Sequence, residues 1–243
     1  MSGHSKWSSI KYQKATTDAR RGQAFTKLAN LIAAAVKSGG KDPETNFKLR
    51  LAITKAKSAN MPSSNIDRAI ARGAGSDANN QIEEIVYEGY GPSGAAFMIE
   101  VATDNRNRAA SSIRSILSKH GGRLAETGTV GYQFSQKGVI LVKTDDLEQA
   151  TLDAIDAGAQ DVKEESKTLI IYTTPVDLDK VRNKLAESGY IIDTAELEYI
   201  AQNPLAISDS RITAQLIKII NLLEELDDVT AVHANFEITT EII

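Results

Sequence analysis

The sequence of 243 residues contains no cysteine, only three histidines, and few aromatic residues, which make up 5% of the chain. Without cysteine there is no disulfide, no thiol nucleophile and no thiolate ligand for a metal. The histidines, His4, His120 and His233, are too widely spaced for a metal-ligand motif. Nucleophile-elbow, P-loop and kinase motifs are also missing. We therefore expect no enzyme activity, no catalytic residues, no metal site and no cofactor.

Long hydrophobic runs are absent as well. One of the longest, Leu31–Val36, is far short of the roughly 20 apolar residues that a membrane span requires. The first eleven residues are polar and lack the apolar segment of a secretory signal. Together with the absence of cysteine, these features predict a cytoplasmic protein that does not contact membranes.

What the sequence has in excess is positive charge at one end. Residues 1–75 contain 14 lysines and arginines against four acids, a net charge of +10, whereas residues 76–243 contain 14 against 28, a net charge of −14. Such segregation is typical of a protein in which one module binds a polyanion while the rest remains soluble and repels it. The alternative is a solvated basic surface without a partner.

The basic region has the pattern of three short helices. Apolar residues at steps of three and four predict a helix over Thr16–Lys37 that ends at Gly39-Gly40. Asp42 is the predicted N-cap of a second helix that ends near Asn60. A third helix follows Pro62 and ends at Gly73.

From Ile85 onward the pattern alternates between strands and helices, which predicts small α+β layers of ferredoxin-like type. The pattern leaves open whether these layers follow one another or whether the last helix and strand complete the first sheet around an inserted domain. The predicted strands include Val130–Phe134, Leu169–Thr173 and Val229–Ile238.

Cationic residues and flat aromatic rings are interleaved in the first fourteen residues, where amines can neutralise phosphates and rings can stack on bases. The candidate nucleic-acid-binding residues of this segment are His4, Lys6, Trp7, Lys11 and Lys14. For Trp7, packing against the helical domain is an equally good interpretation. The helices add further basic candidates, which are Arg20, Arg21, Lys27, Arg50, Lys55, Arg68 and Arg72. Solvated helix faces are the alternative for these residues.

Two further motifs lie in the acidic region. Arg106 and Arg108 occupy a predicted helix start, where a second contact with an anion is one interpretation and simple capping by Asp104 or Asn105 is the other. Gly89–Gly94 has the spacing of a dinucleotide-binding loop but leads into a strand, so we interpret it as a turn.

Several of these motifs resemble the YebC family of transcriptional regulators, which includes a mitochondrial translational activator. The resemblance spans essentially the whole chain and rests on Gly3–Trp7, Phe25-Thr26-Lys27, Asn60-Met61-Pro62 with Asn65, Arg68-Ala69-Ile70 with Arg72-Gly73, Tyr87–Pro92 and Thr103–Arg108.

The resemblance implies a multidomain α+β protein: an N-terminal three-helix domain followed by two ferredoxin-like α+β domains, one inserted in the other, around a cavity. The boundaries expected are 1–78, then 79–134 together with 208–243, with 135–207 inserted. It also implies a nucleic-acid-binding regulator of gene expression that acts on DNA as a transcriptional regulator. The alternatives are a ribosome-associated translation factor that binds rRNA or tRNA and aids synthesis of proline-rich sequences, and an enzyme with a ligand in the cavity. We expect a monomer.

Overall fold

The computed structural model describes residues 18–75 and 82–239. Three helices come first, α1 (Asp18–Gly39), α2 (Phe47–Ser58) and α3 (Ser63–Ala74). The predicted N-cap of α2 is wrong: Asn46 caps this helix, and its side chain accepts a hydrogen bond from the backbone N–H of Leu49 at 3.1 Å. Asp42 instead stabilises the preceding turn, where its carboxylate accepts from the N–H of Glu44.

The three helices share a small apolar core. Leu28 and Ile32 of α1 pack with Leu49 of α2 and Ile66 of α3. Close approach of α1 and α3 requires a glycine, because a Cβ on Gly73 would lie 2.4 Å from the carbonyl oxygen of Ala33. These buried side chains therefore hold the helices in one arrangement, because protein interiors are close-packed.

The first sheet has the strand order β3-β1-β2-β9, built from β1 (Glu83–Tyr90), β2 (Ala96–Thr103), β3 (Arg123–Ala125) and β9 (Val229–Ala234). Neighbouring strands are antiparallel. Two helices, α4 (Arg106–Lys119) and α7 (Ser210–Glu224), pack in one core with Phe97, Ile99 and Val101 of β2. The next residue, Ala102, packs with Ala33 and Ala34 of α1. Since side chains alternate along a strand, α1 covers the opposite face of the sheet.

A second sheet is formed by β4 (Phe134–Lys143), β5 (Asp161–Glu165), β6 (Thr168–Thr173) and β7 (Ile192–Ala201), with α5 (Leu147–Ala157) and α6 (Leu178–Glu187). The order along the chain is βαββαβ and the order in the sheet is β5-β6-β4-β7, which is the ferredoxin-like topology. The first sheet has a different strand order, because its two central strands, β1 and β2, form a hairpin. A short two-stranded sheet pairs β8 (Leu205–Ile207) with β10 (Phe236–Ile238).

The chain separates into two compact units. Ser135–Ile200 forms one, and the described residues up to Phe134 together with those from Ala201 form the other. The α+β class, with helices first and sheets after, is confirmed. The boundary at residues 78 and 79 stays a prediction. Within residues 18–75 and 82–239, no helix is long and apolar enough to span a membrane.

The predicted strand Val130–Phe134 is wrong, because its backbone donors are used by a side chain. The buried carboxylate of Glu88 accepts hydrogen bonds from the N–H groups of Gly128, Val130 and Gly131 at 2.6, 2.6 and 2.9 Å. Residues Gly131–Gln133 form a single 3-10 turn, and the strand begins at Phe134.

The predicted strand Val229–Ile238 is interrupted at Asn235. Its side-chain oxygen accepts from the N–H of Ala96 at 2.8 Å, while its own carbonyl accepts from the N–H of Leu205 at 2.6 Å. The chain therefore pairs with β2 before Asn235 and with β8 after it, so two strands, β9 and β10, form in place of one. Strand β5 was not predicted. The turn at Gly89–Gly94 is confirmed, with Pro92–Gly94 in a 3-10 turn.

Candidate nucleic-acid interface

Five of the predicted nucleic-acid-binding residues, His4, Lys6, Trp7, Lys11 and Lys14, lie outside the described residues. Arg20 and Arg21 lie in the first turn of α1, and the structure does not describe their side chains. Five predicted residues of the helical part remain, namely Lys27, Arg50, Lys55, Arg68 and Arg72. The structure separates them into two groups.

Lys27 is engaged inside the protein. Its half-buried ammonium donates a hydrogen bond to the carbonyl oxygen of Glu224, the last residue of α7. The neighbouring Gln23 donates to the carbonyl oxygen of Glu225 at 3.4 Å. Burial lowers the pKa of Lys27 below its ordinary value, although the carboxylates of Glu224 and Asp227 oppose the shift. Lys27 thus joins α1 to the C-terminal end of α7, where a helix favours a cation.

Arg50 is engaged in the turn before α2. Its guanidinium donates to the carbonyl oxygens of Pro43 and Glu44 at 2.5 and 3.2 Å and lies 5.9 Å from the centre of the Phe47 ring. Lys55 is half-buried on α2, close enough to Lys27 to contribute to the lowering of its pKa. These contacts give Lys27 and Arg50 structural roles.

Arg68 and Arg72 are different, because both are exposed and line an open groove between α1 and α3. We call this the α1–α3 groove. It has a volume of about 280 Å³, and its lining residues are Phe25, Thr26, Ala29, Met61, Asn65, Arg68, Ala69 and Arg72. The two arginines lie one helical turn apart, so their side chains project from the same face of α3.

Neutral groups orient both guanidinium groups. Arg68 donates to the carbonyl oxygen of Ser64 at 3.3 Å and to the side-chain oxygen of Asn65. Arg72 donates to the side-chain oxygen of Asn30 at 2.7 Å. Burial lowers the pKa of Arg72, and the charge of Asp104 opposes this shift. Because a guanidinium has about five N–H donors and stays charged, both arginines retain donors for an anion.

At the predicted second contact, α4 begins with Asn105 as its N-cap, whose side chain accepts from the N–H of Arg108 at 3.0 Å. The guanidinium of Arg108 lies 2.8 Å from carboxylate oxygens of both Asp104 and Asp228. Hydrogen bonds to Asp228 and Asp104 raise its pKa. Arg106 is exposed and 3.8 Å from Glu83. Carboxylates therefore already balance the charge of Arg108.

The apolar lining of the α1–α3 groove was not among the predicted site residues. Phe25 and Ala69 fit the apolar periodicity of their helices, and that pattern predicts helical packing rather than a binding site. The available signal lay elsewhere: most lining residues fall in the segments that carry the family resemblance, Phe25-Thr26-Lys27, Asn60-Met61-Pro62 with Asn65, and Arg68-Ala69-Ile70 with Arg72. Over the described parts of the chain, no cluster of histidine, aspartate and glutamate is arranged to hold a metal ion.

These features define a multidomain α+β protein with a basic helical part at its N-terminus. Residues 5–76 match the TACO1/YebC protein N-terminal domain, and residues 82–236 match the TACO1/YebC second and third domain. The chain belongs to the TACO1/YebC family.

Similar proteins cover the chain from end to end. A "probable transcriptional regulatory protein" of Desulfitobacterium hafniense is 44% identical over 100% of this chain and 98% of its own length. One of Moorella thermoacetica, with the same name, is 48% identical with the same coverage. The crystal structure of a conserved hypothetical protein from Aquifex aeolicus has 45% identity and a TM-score of 0.91, covering 98% of this chain and 99% of that one. The names of the curated relatives describe regulators rather than enzymes.

Proposed function

We propose that this protein binds nucleic acid through its basic helical part and thereby regulates gene expression. The observation that carries the proposal is the pair Arg68 and Arg72, which is exposed on a region of net charge +10 and oriented by neutral side chains. Arginine at such a position can donate two parallel hydrogen bonds to one phosphate. The acidic remainder of the chain would be repelled by the same polyanion and so orients the encounter.

In its more specific form, the proposal is a DNA-binding transcriptional regulator. The names of the relatives support it. Phosphate contacts position a protein on DNA but do not read its sequence. The two arginines alone would therefore give affinity with little sequence specificity. Among the other predicted contacts, Lys6, Lys11, Lys14, Arg20, Arg21 and Arg106 would add phosphate contacts of the same kind. The rings of His4 and Trp7 would instead stack on bases.

The alternative is a translation factor that binds ribosomal or transfer RNA. RNA presents the same phosphate charge to arginine, and the lysines and the single tryptophan of the first fourteen residues favour structured or unpaired RNA. In either form we infer a cytoplasmic, monomeric protein without enzymatic activity, in which residues 1–78 form the nucleic-acid-binding domain.

Binding of the full-length protein to mixed-sequence duplex DNA and to purified ribosomes, titrated with salt in parallel, tests the proposal. Tight ribosome binding that resists salt, with weak and salt-sensitive DNA binding, would establish the translation factor. DNA binding that strengthens on a promoter fragment, without ribosome association, would establish the transcriptional regulator. Absence of binding to both targets at low salt would refute nucleic-acid binding altogether.

A further inference from the structure

The α1–α3 groove combines an apolar floor with a cationic rim. Phe25 and Ala29 of α1 are half-buried in the floor, beside the buried Met61 and Ala69. The rim carries the exposed guanidinium groups of Arg68 and Arg72. A surface that bound only phosphates would need the rim but not the floor.

We propose that this groove receives the base of an unpaired nucleotide while Arg68 and Arg72 bind the adjacent phosphates. The inference rests on the proposed function and specifies the form of nucleic acid that the site takes. In a duplex the bases are stacked inside, so a docked duplex would leave the floor uncovered. An unpaired nucleotide exposes the faces of its base, which stack on aromatic rings and on guanidinium planes.

The size of the groove agrees with this occupant. Its volume of about 280 Å³ is near the lower end of the roughly 300–1,000 Å³ typical of small-molecule sites. One flat ring system fits such a space, whereas a helix of nucleic acid does not.

The hydrogen bonds at the rim favour the same geometry. Asn65 and Asn30 each accept from one guanidinium, so Arg68 and Arg72 are held beside the floor. Side chains that are already oriented lose less conformational entropy on binding. Each guanidinium also keeps free N–H groups for a phosphate oxygen and a flat face for a base.

The experiment compares the full-length protein's affinity for single strands of about a dozen nucleotides, within the usual site sizes for unpaired nucleic acid. One set carries all bases, a second is abasic at every position with every phosphate retained, and a third is the duplex of the base-containing sequence. We expect the strand with bases to bind at least about fivefold more tightly than the abasic strand, since one stacked base contributes about 1–3 kcal/mol. Ribose and deoxyribose versions distinguish RNA from opened DNA as the natural source.

A matched pair of variants connects this preference to the groove. Phe25→Leu removes the ring from the floor, whereas Phe47→Leu removes another half-buried ring at the start of α2, outside the groove. We expect the ratio of affinities for base-containing and abasic strands to fall towards one in Phe25→Leu and to stay at the wild-type value in Phe47→Leu. Because both strands are measured on the same variant, a loss of folded protein cancels in the ratio.

Equal affinities of the wild type for both strands, or an unchanged ratio in Phe25→Leu, would overturn the inference. In that case salt-sensitive binding of all the strands would leave the proposed function intact. If the protein bound no strand, no duplex and no ribosome, the proposed function would fail as well.

Discussion

At the scale of single residues, cations that look alike in the sequence have different tasks in the fold. Lys27 and Arg50 donate to backbone carbonyls of the protein itself, whereas Arg68 and Arg72 face an open groove. The sequence shows that this region is basic, because its charged residues can be counted directly. It could not predict which amines are engaged, because the partner of Lys27 lies 197 residues away along the chain.

Lys27→Met should therefore lower stability. The substitution keeps the apolar stem but removes the charged donor to the carbonyl oxygen of Glu224. Such a bond contributes roughly 1.5–3 kcal/mol, and the cost of burying the charge, which lowers the pKa of Lys27, offsets part of it. We expect the free energy of unfolding in urea to fall by about 1–2 kcal/mol. The control Lys37→Met, at an exposed lysine in the last turn of α1, should change it by less than about 0.5 kcal/mol. Equal values for the two variants would contradict the structural role of Lys27.

Glu88 predicts a dependence of stability on pH. Burial alone would raise the pKa of its carboxyl, but hydrogen bonds from Gly128, Val130 and Gly131 lower it below the ordinary 4.5. Because the pKa is depressed in the folded state, the stabilisation is complete above pH 4.5 and is lost as the pH falls through the folded pKa.

Glu88→Gln tests this at the same position. The neutral amide accepts weaker hydrogen bonds, so we expect a loss of about 2 kcal/mol at neutral pH. The difference in unfolding free energy between wild type and variant should shrink as the pH is lowered below 4.5. A difference that is constant with pH would show that the ionised carboxylate is not the stabilising form.

At the scale of elements, the sequence predicted the helices well because their apolar periodicity matches their buried faces. The strand errors arose where a side chain forms hydrogen bonds with backbone groups in place of a neighbouring strand. Glu88 occupies the backbone donors of the predicted strand Val130–Phe134, and Asn235 interrupts the last strand. The sequence also did not reveal that both faces of β2 are buried. The second face is covered by α1, which belongs to a distant part of the chain.

The contact between α1 and α3 makes a prediction for glycine. Gly73→Ala would place a methyl group 2.4 Å from the carbonyl oxygen of Ala33, so the helices must move apart. We expect a loss of about 1–3 kcal/mol, the usual range for overpacking. Gly22→Ala is the matched control on α1, because a Cβ at this position meets nothing within 4 Å. We expect this substitution to stabilise the helix by about 0.5–1 kcal/mol. Thermal unfolding of the two variants should therefore shift in opposite directions, and a shift of both in the same direction would contradict the packing described.

At the scale of the whole molecule, the central feature is the separation of charge between the basic helical part and the acidic remainder. Composition alone predicted a polyanionic partner, and the family resemblance predicted its class. The resemblance segments contain most of the residues that line the α1–α3 groove, but neither composition nor resemblance could show that they form one site, because the lining comes from helices that are brought together by packing around Gly73. The candidate site is thus a property of the fold rather than of any one motif.

The most direct test of the account is the salt dependence of binding to single-stranded and duplex DNA for three forms of the full-length protein. Arg68→Gln/Arg72→Gln removes the two arginines of the groove. Arg114→Gln/Arg211→Gln removes the same charge from exposed positions on α4 and α7, which pack on the sheet face opposite α1.

If Arg68 and Arg72 each neutralise one phosphate, the slope of log affinity against log salt should become shallower by about 1.4 on single strands and 1.8 on duplex. The account predicts this change for the groove variant and a wild-type slope for the control. Equal slopes for all three proteins would contradict the claim that the groove arginines bind the nucleic-acid backbone.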